Sequence, residues 1–167
     1  RRLAGDLAIV NHEAAVLALA DALRAKGWRI ASAESCTGGL ISAACTSVAG
    51  SSDWFERGFV TYSNESKVEM LGVSSEDIAA HGAVSAAVAE QMAEGIRARS
   101  GADVGVGITG IAGPDGGSVE KPVGTVFVAI TSPSGAATRK LNLGGTRGSV
   151  RERATQIVDQ ASRRSNE

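Results

Sequence analysis

Two spacings of hydrophobic residues, one typical of helices and one typical of strands, divide the chain into predicted elements. Val16, Leu19 and Leu23 recur on one face of a helix over residues 11–26, which Gly27 ends. Comparable spacing predicts five further helices, at residues 38–48, 63–71, 74–82, 84–101 and 147–164. Short alternating or wholly apolar runs predict five strands, at residues 28–33, 57–63, 102–110, 123–130 and 136–143. Helices and strands therefore alternate over most of the chain.

Capping residues mark the ends of several of these helices. Either Ser63 or Asn64 is suited to cap the helix over residues 63–71, and Ser74 begins the next one. Ser85 is a cap for the longest helix, which Gly101 ends. The alternation predicts a single-domain three-layer α/β/α sandwich spanning the whole chain, residues 1 to 167. Two consecutive strands around the turn SPSG predict that its sheet is mixed.

Composition places the chain among globular proteins that need no metal or disulfide for stability. It has 167 residues, of which 43% are hydrophobic and 21% charged, and its formal net charge is −1. This charge argues against a protein that coats nucleic acid or a membrane surface. No run approaches the ~18 apolar residues of a membrane span, and we expect a cytoplasmic protein. Cys36 and Cys45 match no metal or redox spacing, so we expect buried free thiols and no bound metal.

The stretch SAESCTGG, residues 32–39, holds three side chains that could attack a carbonyl: Ser35, Cys36 and Thr37. It lies between a predicted strand and a predicted helix, where the unpaired amides of a helix start stabilise negative charge. Such a position suits the oxyanion of acyl transfer or a phosphate, and the two glycines allow close approach. A Ser/Thr-rich helix cap accounts for the same residues, and the pattern alone leaves this choice open.

A nucleophilic serine needs a base, and histidine is scarce in this chain. Only His12 and His81 are present, and neither has neighbours typical of a catalytic site. Lys67, in the stretch TYSNESK, is an alternative base for Ser35, and the Tyr62 hydroxyl could pass a hydrogen bond between them. The lysine pKa would have to fall from about 10.4 to about 7–8, a direction that burial favours. A solvated helix lysine is the competing interpretation. The lack of histidine also argues against a cysteine nucleophile.

Glycine is the compositional outlier, with 21 residues among 167. The run GVGITG at residues 105–110 gives a G-x-G-x-x-G pattern, but it lies inside a predicted strand and no helix follows it. That context excludes a dinucleotide-binding fingerprint. The loop over residues 111–122 follows the end of this strand, where α/β sheets bind ligands. A flexible hairpin loop is the competing interpretation.

Arg147 and Arg151 lie on one face near the start of the last predicted helix. Cations at that position oppose the helix dipole, so they favour a bound anion such as a substrate phosphate. A solvated arginine face is the competing interpretation.

Several of these stretches together resemble the CinA C-terminal domain family of competence/damage-inducible proteins. They are, in order, AESCTGGLIS, AGSSDWFERGFVTYSNESKVEMLGV, HGAVS, GITGIAGPDGGSVEKPVGTVFVAI and a terminal R-x-x-x-R. The resemblance extends from the first predicted helix to the last. It is to the stand-alone members of the family, the nicotinamide-nucleotide amidases.

The resemblance implies hydrolysis of the carboxamide of nicotinamide mononucleotide to nicotinate mononucleotide and ammonia, in bacterial pyridine-nucleotide recycling. It implies a Ser/Lys amidohydrolase that uses no metal and no cofactor. Carried onto the matching motifs, Ser35 is the expected nucleophile, Lys67 the general base and Tyr62 the assisting hydroxyl. The resemblance therefore favours serine over the thiol of Cys36 and the hydroxyl of Thr37.

We expect the oxyanion to be held by backbone amides at the helix start and the mononucleotide to lie near the glycine-rich loop and the terminal arginines. The expected substrate-binding residues are Thr37, Gly38, Gly39, Thr109, Gly110, Gly113, Arg147 and Arg151. The expected partner is thus a small molecule, not a nucleic acid or a membrane. Two other functions stay open: a non-catalytic nucleotide-binding or regulatory module, and an amidase for another carboxamide. No residue specifies an oligomer interface, so a monomer and a homo-oligomer both stay open.

Overall fold

The computed structural model describes the backbone of residues 2–165 and the side chains of residues 13–156. Its helices are α1 (Arg2–Lys26), α2 (Leu40–Thr46), α3 (Asn64–Leu71), α4 (Ser75–His81), α5 (Ala86–Ser100) and α6 (Arg147–Ser165). Its strands are β1 (Ile30–Glu34), β2 (Phe55–Val60), β3 (Val104–Gly110), β4 (Thr125–Ser132) and β5 (Gly135–Asn142). A 3₁₀ turn, Ser51–Asp53, precedes β2.

The strands form one mixed sheet with the order β2-β1-β3-β4-β5, which confirms the predicted sheet type. β1 pairs in parallel with both β2 and β3, whereas β4 runs antiparallel to β3 and β5. Parallel neighbours require crossover connections, and helices supply them: α2 joins β1 to β2, and α3 to α5 join β2 to β3. The carboxyl ends of β1, β2 and β3 therefore meet at one edge of the sheet, where ligands bind in folds of this kind.

Helices cover both faces of the sheet, as the predicted three-layer α/β/α architecture requires. On one face, α1, α2 and α6 enclose a core that includes Leu19, Ile41 and Ile108. On the other face, α3, α4 and α5 enclose a second core that includes Leu71 and Met92. The chain is a single α/β domain. Over residues 2–165, no helix combines the length and the apolar character needed to cross a bilayer.

Most element bounds differ from the predictions by one to three residues, and β2 ends at Val60, before Tyr62 and Ser63. The starts of α1 and α2 differ for identifiable reasons. α1 begins at Arg2 and not at residue 11, because residues 2–10 contain no proline and are rich in the helix formers Ala and Leu. α2 begins at Leu40 and not at residue 38, because Gly38 and Gly39 adopt φ values of +59° and +107°. A right-handed helix cannot continue through such values. Residues 35–39 therefore form a separate turn between β1 and α2.

Serine caps begin three helices, as predicted. Ser63, Ser74 and Ser85 each accept a hydrogen bond from the backbone amide three residues later, at 3.1, 3.2 and 3.3 Å. Gly101, with a φ of +71°, ends α5 in the left-handed conformation typical of a helix C-terminus.

Glycines on β3 allow α5 to lie directly on the sheet. A Cβ atom added to Gly107 would be 2.3 Å from the carbonyl oxygen of Ala89, and one added to Gly105 would be 2.3 Å from that of Ala93. Both alanines are buried and small, so the helix backbone itself fills this space. The G-x-G-x-x-G pattern of residues 105–110 thus serves helix–sheet packing.

We predict that Gly107→Ala lowers the free energy of unfolding by about 1–3 kcal/mol, because the added methyl group forces α5 away from the sheet. Denaturant unfolding followed by circular dichroism measures this change. Gly148→Ala is the matched control, because a Cβ there meets no atom within 4 Å. Equal stability of the Gly107→Ala variant and the parent protein would contradict this account of the packing.

Candidate active site

The sheet topology brings together the segments that follow β1, β2 and β3. Ser35 comes directly after β1, and its amide donates to the carbonyl oxygen of Ile108 on β3 at 3.1 Å. Thr61 comes directly after β2, and its amide donates to the carbonyl oxygen of Glu34 at 2.8 Å. Lys67 lies on α3, the helix that follows β2. The nucleophile and base expected from the sequence therefore lie at the same edge of the sheet.

Lys67 and Ser35 are in direct hydrogen-bond contact. The Nζ atom of Lys67 lies 3.0 Å from the Oγ atom of Ser35. Only 1% of Lys67 and 8% of Ser35 are exposed. The same Nζ atom also donates to the carbonyl oxygens of Thr61 and Tyr62, at 2.8 and 3.3 Å. The lysine is therefore a buried group with three oxygen partners, and the competing picture of a solvated helix lysine is wrong.

Burial lowers the pKa of Lys67 from its ordinary value of 10.5, because the ammonium form loses its hydration. Negative charge on Cys36 or Glu65 would raise this pKa, and both effects are smaller than that of burial. In the neutral amine, two N–H groups suffice for the two carbonyl oxygens, and the lone pair remains to accept the Ser35 proton. The three oxygens also suit the three N–H groups of the ammonium form. The geometry thus accommodates both states of a proton-transfer cycle.

Cys36 has the properties of an unreactive thiol. It is buried, and burial raises its pKa to about 11, so the thiolate is scarce at neutral pH. At neutral pH the thiol is therefore uncharged and does not raise the pKa of Lys67. Of the two histidines, His81 is exposed at the end of α4, and the side chain of His12 lies outside the described residues.

Glu34 is a buried site residue that sequence analysis missed. Its carboxylate is 0% exposed and accepts five hydrogen bonds. Oε1 accepts from the hydroxyl of Thr37 at 2.6 Å and from the amides of Gly39 and Ile41 at 3.1 and 2.9 Å. Oε2 accepts from the amide and the hydroxyl of Ser42, both at 3.0 Å. An acidic residue next to a predicted helix start was the available signal, because helix N-termini favour carboxylates.

These bonds correct the expected set of oxyanion donors. The amide of Gly39 is used by Glu34, and the amide of Gly38 donates to the carbonyl oxygen of Ser35 at 3.1 Å. Among the described residues, no hydrogen bond to another residue uses the amides of Cys36 and Thr37. These two amides are therefore the candidate oxyanion donors beside Ser35, in place of those of the glycines, and both belong to residues that are at most 5% exposed.

Tyr62 does not lie between Ser35 and Lys67 as expected. Its main-chain carbonyl accepts from Lys67, but its side chain is 60% exposed, and its hydroxyl accepts from Arg147 at 3.0 Å. The direct contact between Lys67 and Ser35 leaves no gap for the phenol to bridge, and the phenol contacts Arg147 instead.

The two arginines at the start of α6 reach the same edge of the sheet. Arg147 donates to the carbonyl oxygen of Gly113 at 2.9 Å as well as to Tyr62. Arg151 donates to the carbonyl oxygens of Cys36 and Thr37, at 2.9 and 3.3 Å. Arg147 therefore links Gly113 to Tyr62 on the exposed side of the site, which we call the entrance. Arg151 supports the turn that carries Ser35.

Thr109 and Gly110, two residues expected to bind substrate, make close contacts within the protein. The Thr109 hydroxyl donates to the carbonyl oxygen of Ala83 at 2.9 Å, and the residue is 1% exposed. A Cβ added to Gly110 would lie 3.1 Å from the sulfur of Cys36, so this glycine allows the Ser35 turn to pack on β3.

The part of the chain with described side chains contains no group of three or more His, Cys, Asp or Glu residues that could hold a metal ion.

Comparisons with known proteins agree with the motifs. Residues 12–162 match the family model described as CinA C-terminal domain. A "Nicotinamide-nucleotide amidohydrolase PncC" from Enterobacter agglomerans is 55% identical over 134 residues, which cover 80% of this chain and 82% of that protein. A "CinA-like protein" from Syntrophobacter fumaroxidans is 52% identical over 148 residues, which cover 89% of this chain but only 35% of that longer protein.

A solved structure shares the fold described above. The competence/damage inducible protein CihA from Agrobacterium tumefaciens superposes with a TM-score of 0.91 at 40% sequence identity, over 94% of this chain and 96% of that one. The resemblance inferred from the sequence motifs is therefore confirmed.

We predict that a fluorophosphonate, which reacts with activated serine hydroxyls, labels Ser35. The rate should rise with pH as Lys67 loses its proton, and the midpoint should lie below the ordinary lysine value of 10.5 because burial lowers the pKa of Lys67. Intact-mass and peptide mass spectrometry measure the rate and the site. Ser35→Ala reports background labelling, and Lys67→Met should abolish the reaction. A rate that rises only above pH 10.5 would mean that the lysine is unperturbed.

Proposed function

The chain belongs to the CinA C-terminal domain family, and on that basis we propose that it is an amidohydrolase that converts nicotinamide mononucleotide to nicotinate mononucleotide and ammonia. Relatives that are 54–55% identical carry the name nicotinamide-nucleotide amidohydrolase and have 82% of their length in the match. The observation that carries the mechanistic part is the 3.0 Å contact between a buried Lys67 amine and the Ser35 hydroxyl.

The first step is addition of Ser35 to the carboxamide. Neutral Lys67 takes the proton from the Ser35 hydroxyl as the oxygen adds to the carboxamide carbon. The carbonyl π bond breaks, and the oxygen becomes an oxyanion. Lys67 becomes an ammonium, which the carbonyl oxygens of Thr61 and Tyr62 stabilise through hydrogen bonds of 2.8 and 3.3 Å.

Backbone amides next to the nucleophile stabilise the oxyanion. The amides of Cys36 and Thr37 follow Ser35 directly and donate to no other described residue. Donors of this kind, fixed before the reaction begins, stabilise charge that develops in the transition state. Arg151 contributes by holding the carbonyl oxygens of both residues, which keeps the peptide planes of the turn in place.

The second half of the cycle releases both products. The Lys67 ammonium gives its proton to the amide nitrogen as the C–N bond breaks, so ammonia departs and an acyl ester of Ser35 remains. A water molecule then adds to this ester and passes a proton to Lys67. The Ser35 oxygen leaves, recovers that proton from the lysine, and frees nicotinate mononucleotide.

The mononucleotide is placed by the groups at the entrance. Arg147 is exposed at the start of α6 and supplies positive charge for the phosphate, together with the amino end of the helix. Tyr62 shares this entrance through its bond to Arg147. Gly38 and Gly113 line the same region, because Gly38 lies against Arg151 and the Gly113 carbonyl accepts from Arg147.

We predict that Ser35→Ala and Lys67→Met each lower the rate of ammonia release from nicotinamide mononucleotide by about 10³-fold or more, since each removes an essential part of one reaction unit. Cys36→Ser should remain active, because the thiol takes no part in the mechanism. A coupled ammonia assay and circular dichroism of each variant provide the measurements.

The outcomes separate this proposal from its rivals. Binding of the mononucleotide without ammonia release by the parent protein would identify a non-catalytic nucleotide-binding module. Release of ammonia only from other carboxamides in a substrate panel would retain the dyad and change the substrate. Loss of activity in a folded Cys36→Ser variant would move the nucleophile to the thiol.

We predict that Arg147→Ala raises KM for nicotinamide mononucleotide by about 10- to 100-fold, the range expected for losing a charged hydrogen bond worth about 1.5–3 kcal/mol. The KM for nicotinamide riboside, which lacks the phosphate, should change much less. Arg153→Ala is the matched control, because Arg153 lies on the same helix and donates to the carbonyl oxygen of Gly144. An equal loss with both substrates would place the phosphate elsewhere.

A further inference from the structure

We propose that Glu34 is a positioning residue for the dyad, an inference that rests on the proposed amidohydrolase function. Its buried carboxylate holds the turn of residues 35–39 so that the Ser35 hydroxyl faces Lys67. Glu34 immediately precedes Ser35 and ends β1. The residue roles that the family resemblance implies do not include Glu34.

The carboxylate of Glu34 links the turn of residues 35–39 to the first turn of α2. Thr37 lies within the turn, and its hydroxyl donates to Oε1 at 2.6 Å. Ile41 and Ser42 lie in the first turn of α2, and their amides donate to Oε1 and Oε2 at 2.9 and 3.0 Å. These bonds fix the distance between the nucleophile and the helix behind it. The constraint matters because the intervening Gly38 and Gly39 allow more backbone conformations than other residues do.

The main chain of the same residue holds the other member of the dyad. The carbonyl oxygen of Glu34 accepts from the amide of Thr61 at 2.8 Å. The carbonyl oxygen of Thr61 in turn accepts from the Lys67 amine at 2.8 Å. Glu34 is thus linked to the base through its backbone and to the nucleophile turn through its side chain.

The charge of Glu34 is satisfied without a cation. No lysine or arginine among the residues with described side chains forms an ion pair with it. Backbone amides and hydroxyls supply all five donors, and the amino end of α2 adds a favourable dipole. The carboxylate also occupies the amides that would otherwise compete for a substrate anion. This leaves the amides of Cys36 and Thr37 as the donors beside Ser35.

A glutamine has the shape of glutamate but cannot make the same bonds. Both oxygens of Glu34 accept backbone amide hydrogens, from Ile41 at one and from Ser42 at the other. The amide group of glutamine would place an NH₂ donor against one of these N–H groups. Glu34→Gln therefore removes the hydrogen bonds accepted at one of the two oxygen positions, with little change in side-chain volume.

We predict that Glu34→Gln lowers kcat for nicotinamide mononucleotide by about 10- to 100-fold, the scale of a nucleophile displaced by about 1 Å. KM should change little, because the phosphate site on α6 is untouched. The pH at which activity rises should also stay in place, because burial is the main cause of the lowered pKa of Lys67 and the substitution leaves that burial in place. Steady-state kinetics across pH, with thermal unfolding of each variant, provide the measurements.

Ser74→Ala is the matched control, because Ser74 caps α4 through a comparable side-chain bond of 3.2 Å to Asp77. It should lose stability without loss of kcat. Thr37→Val offers a second test if Glu34→Gln does not fold, because it removes only the 2.6 Å bond to the carboxylate, and it should also lower kcat. Undiminished kcat in a folded Glu34→Gln variant would overturn the proposal. If Glu34→Gln does not fold, undiminished kcat in Thr37→Val would overturn it. So would a shifted pH midpoint or an equal loss of kcat in Ser74→Ala.

The labelling of Ser35 by a fluorophosphonate separates this proposal from the proposed function. If the parent protein releases no ammonia from the mononucleotide, the substrate assignment fails. The labelling rate of Glu34→Gln relative to the parent protein then still tests the positioning role. A rate about 10-fold lower would support that role, and an equal rate would overturn it.

Discussion

The buried contact between the Lys67 amine and the Ser35 hydroxyl is the interaction on which the rest of the site depends. Burial lowers the pKa of Lys67 because an ammonium inside a protein loses its hydration. The fold offers this amine main-chain carbonyls, which accept its N–H groups without adding a full charge. A carboxylate in their place would stabilise the ammonium and raise the pKa of Lys67, so that less neutral amine would be available to act as a base. Glu34, the acidic residue next to Ser35, directs its carboxylate to the start of α2 instead.

The α/β architecture creates this contact by bringing the ends of parallel strands together. Ser35 follows β1, Lys67 belongs to the helix after β2, and hydrogen bonds between the strand ends set their separation. Close packing of α5 on the glycines of β3 supports that arrangement from one side. On the other side, Arg151 from α6 holds the turn that carries Ser35, the proposed nucleophile. The dyad is therefore supported by both helical layers, which suits a group whose geometry must be accurate.

The site has a buried inner part and an exposed outer part, and the two differ in chemistry. The inner part consists of Ser35, Lys67 and Glu34, which are all nearly inaccessible to solvent. The outer part contains Tyr62 and Arg147, which are exposed and bonded to each other. Proton transfer benefits from the exclusion of water, whereas recognition of a charged nucleotide requires access from solution. The proposed reaction makes use of both environments.

The sequence by itself determined the order of helices and strands, the serine caps and the mixed sheet, because these features follow from local periodicity and short-range hydrogen bonds. It also indicated Ser35 and Lys67 as candidates, through their positions after neighbouring strands and through the family motifs. Only the tertiary structure decided which polar groups meet: Glu34 with the start of α2, and the Tyr62 phenol with Arg147 rather than with the dyad. Such pairings join groups whose relative positions depend on the packing of the sheet, its helices and its turns, and no local pattern encodes those positions.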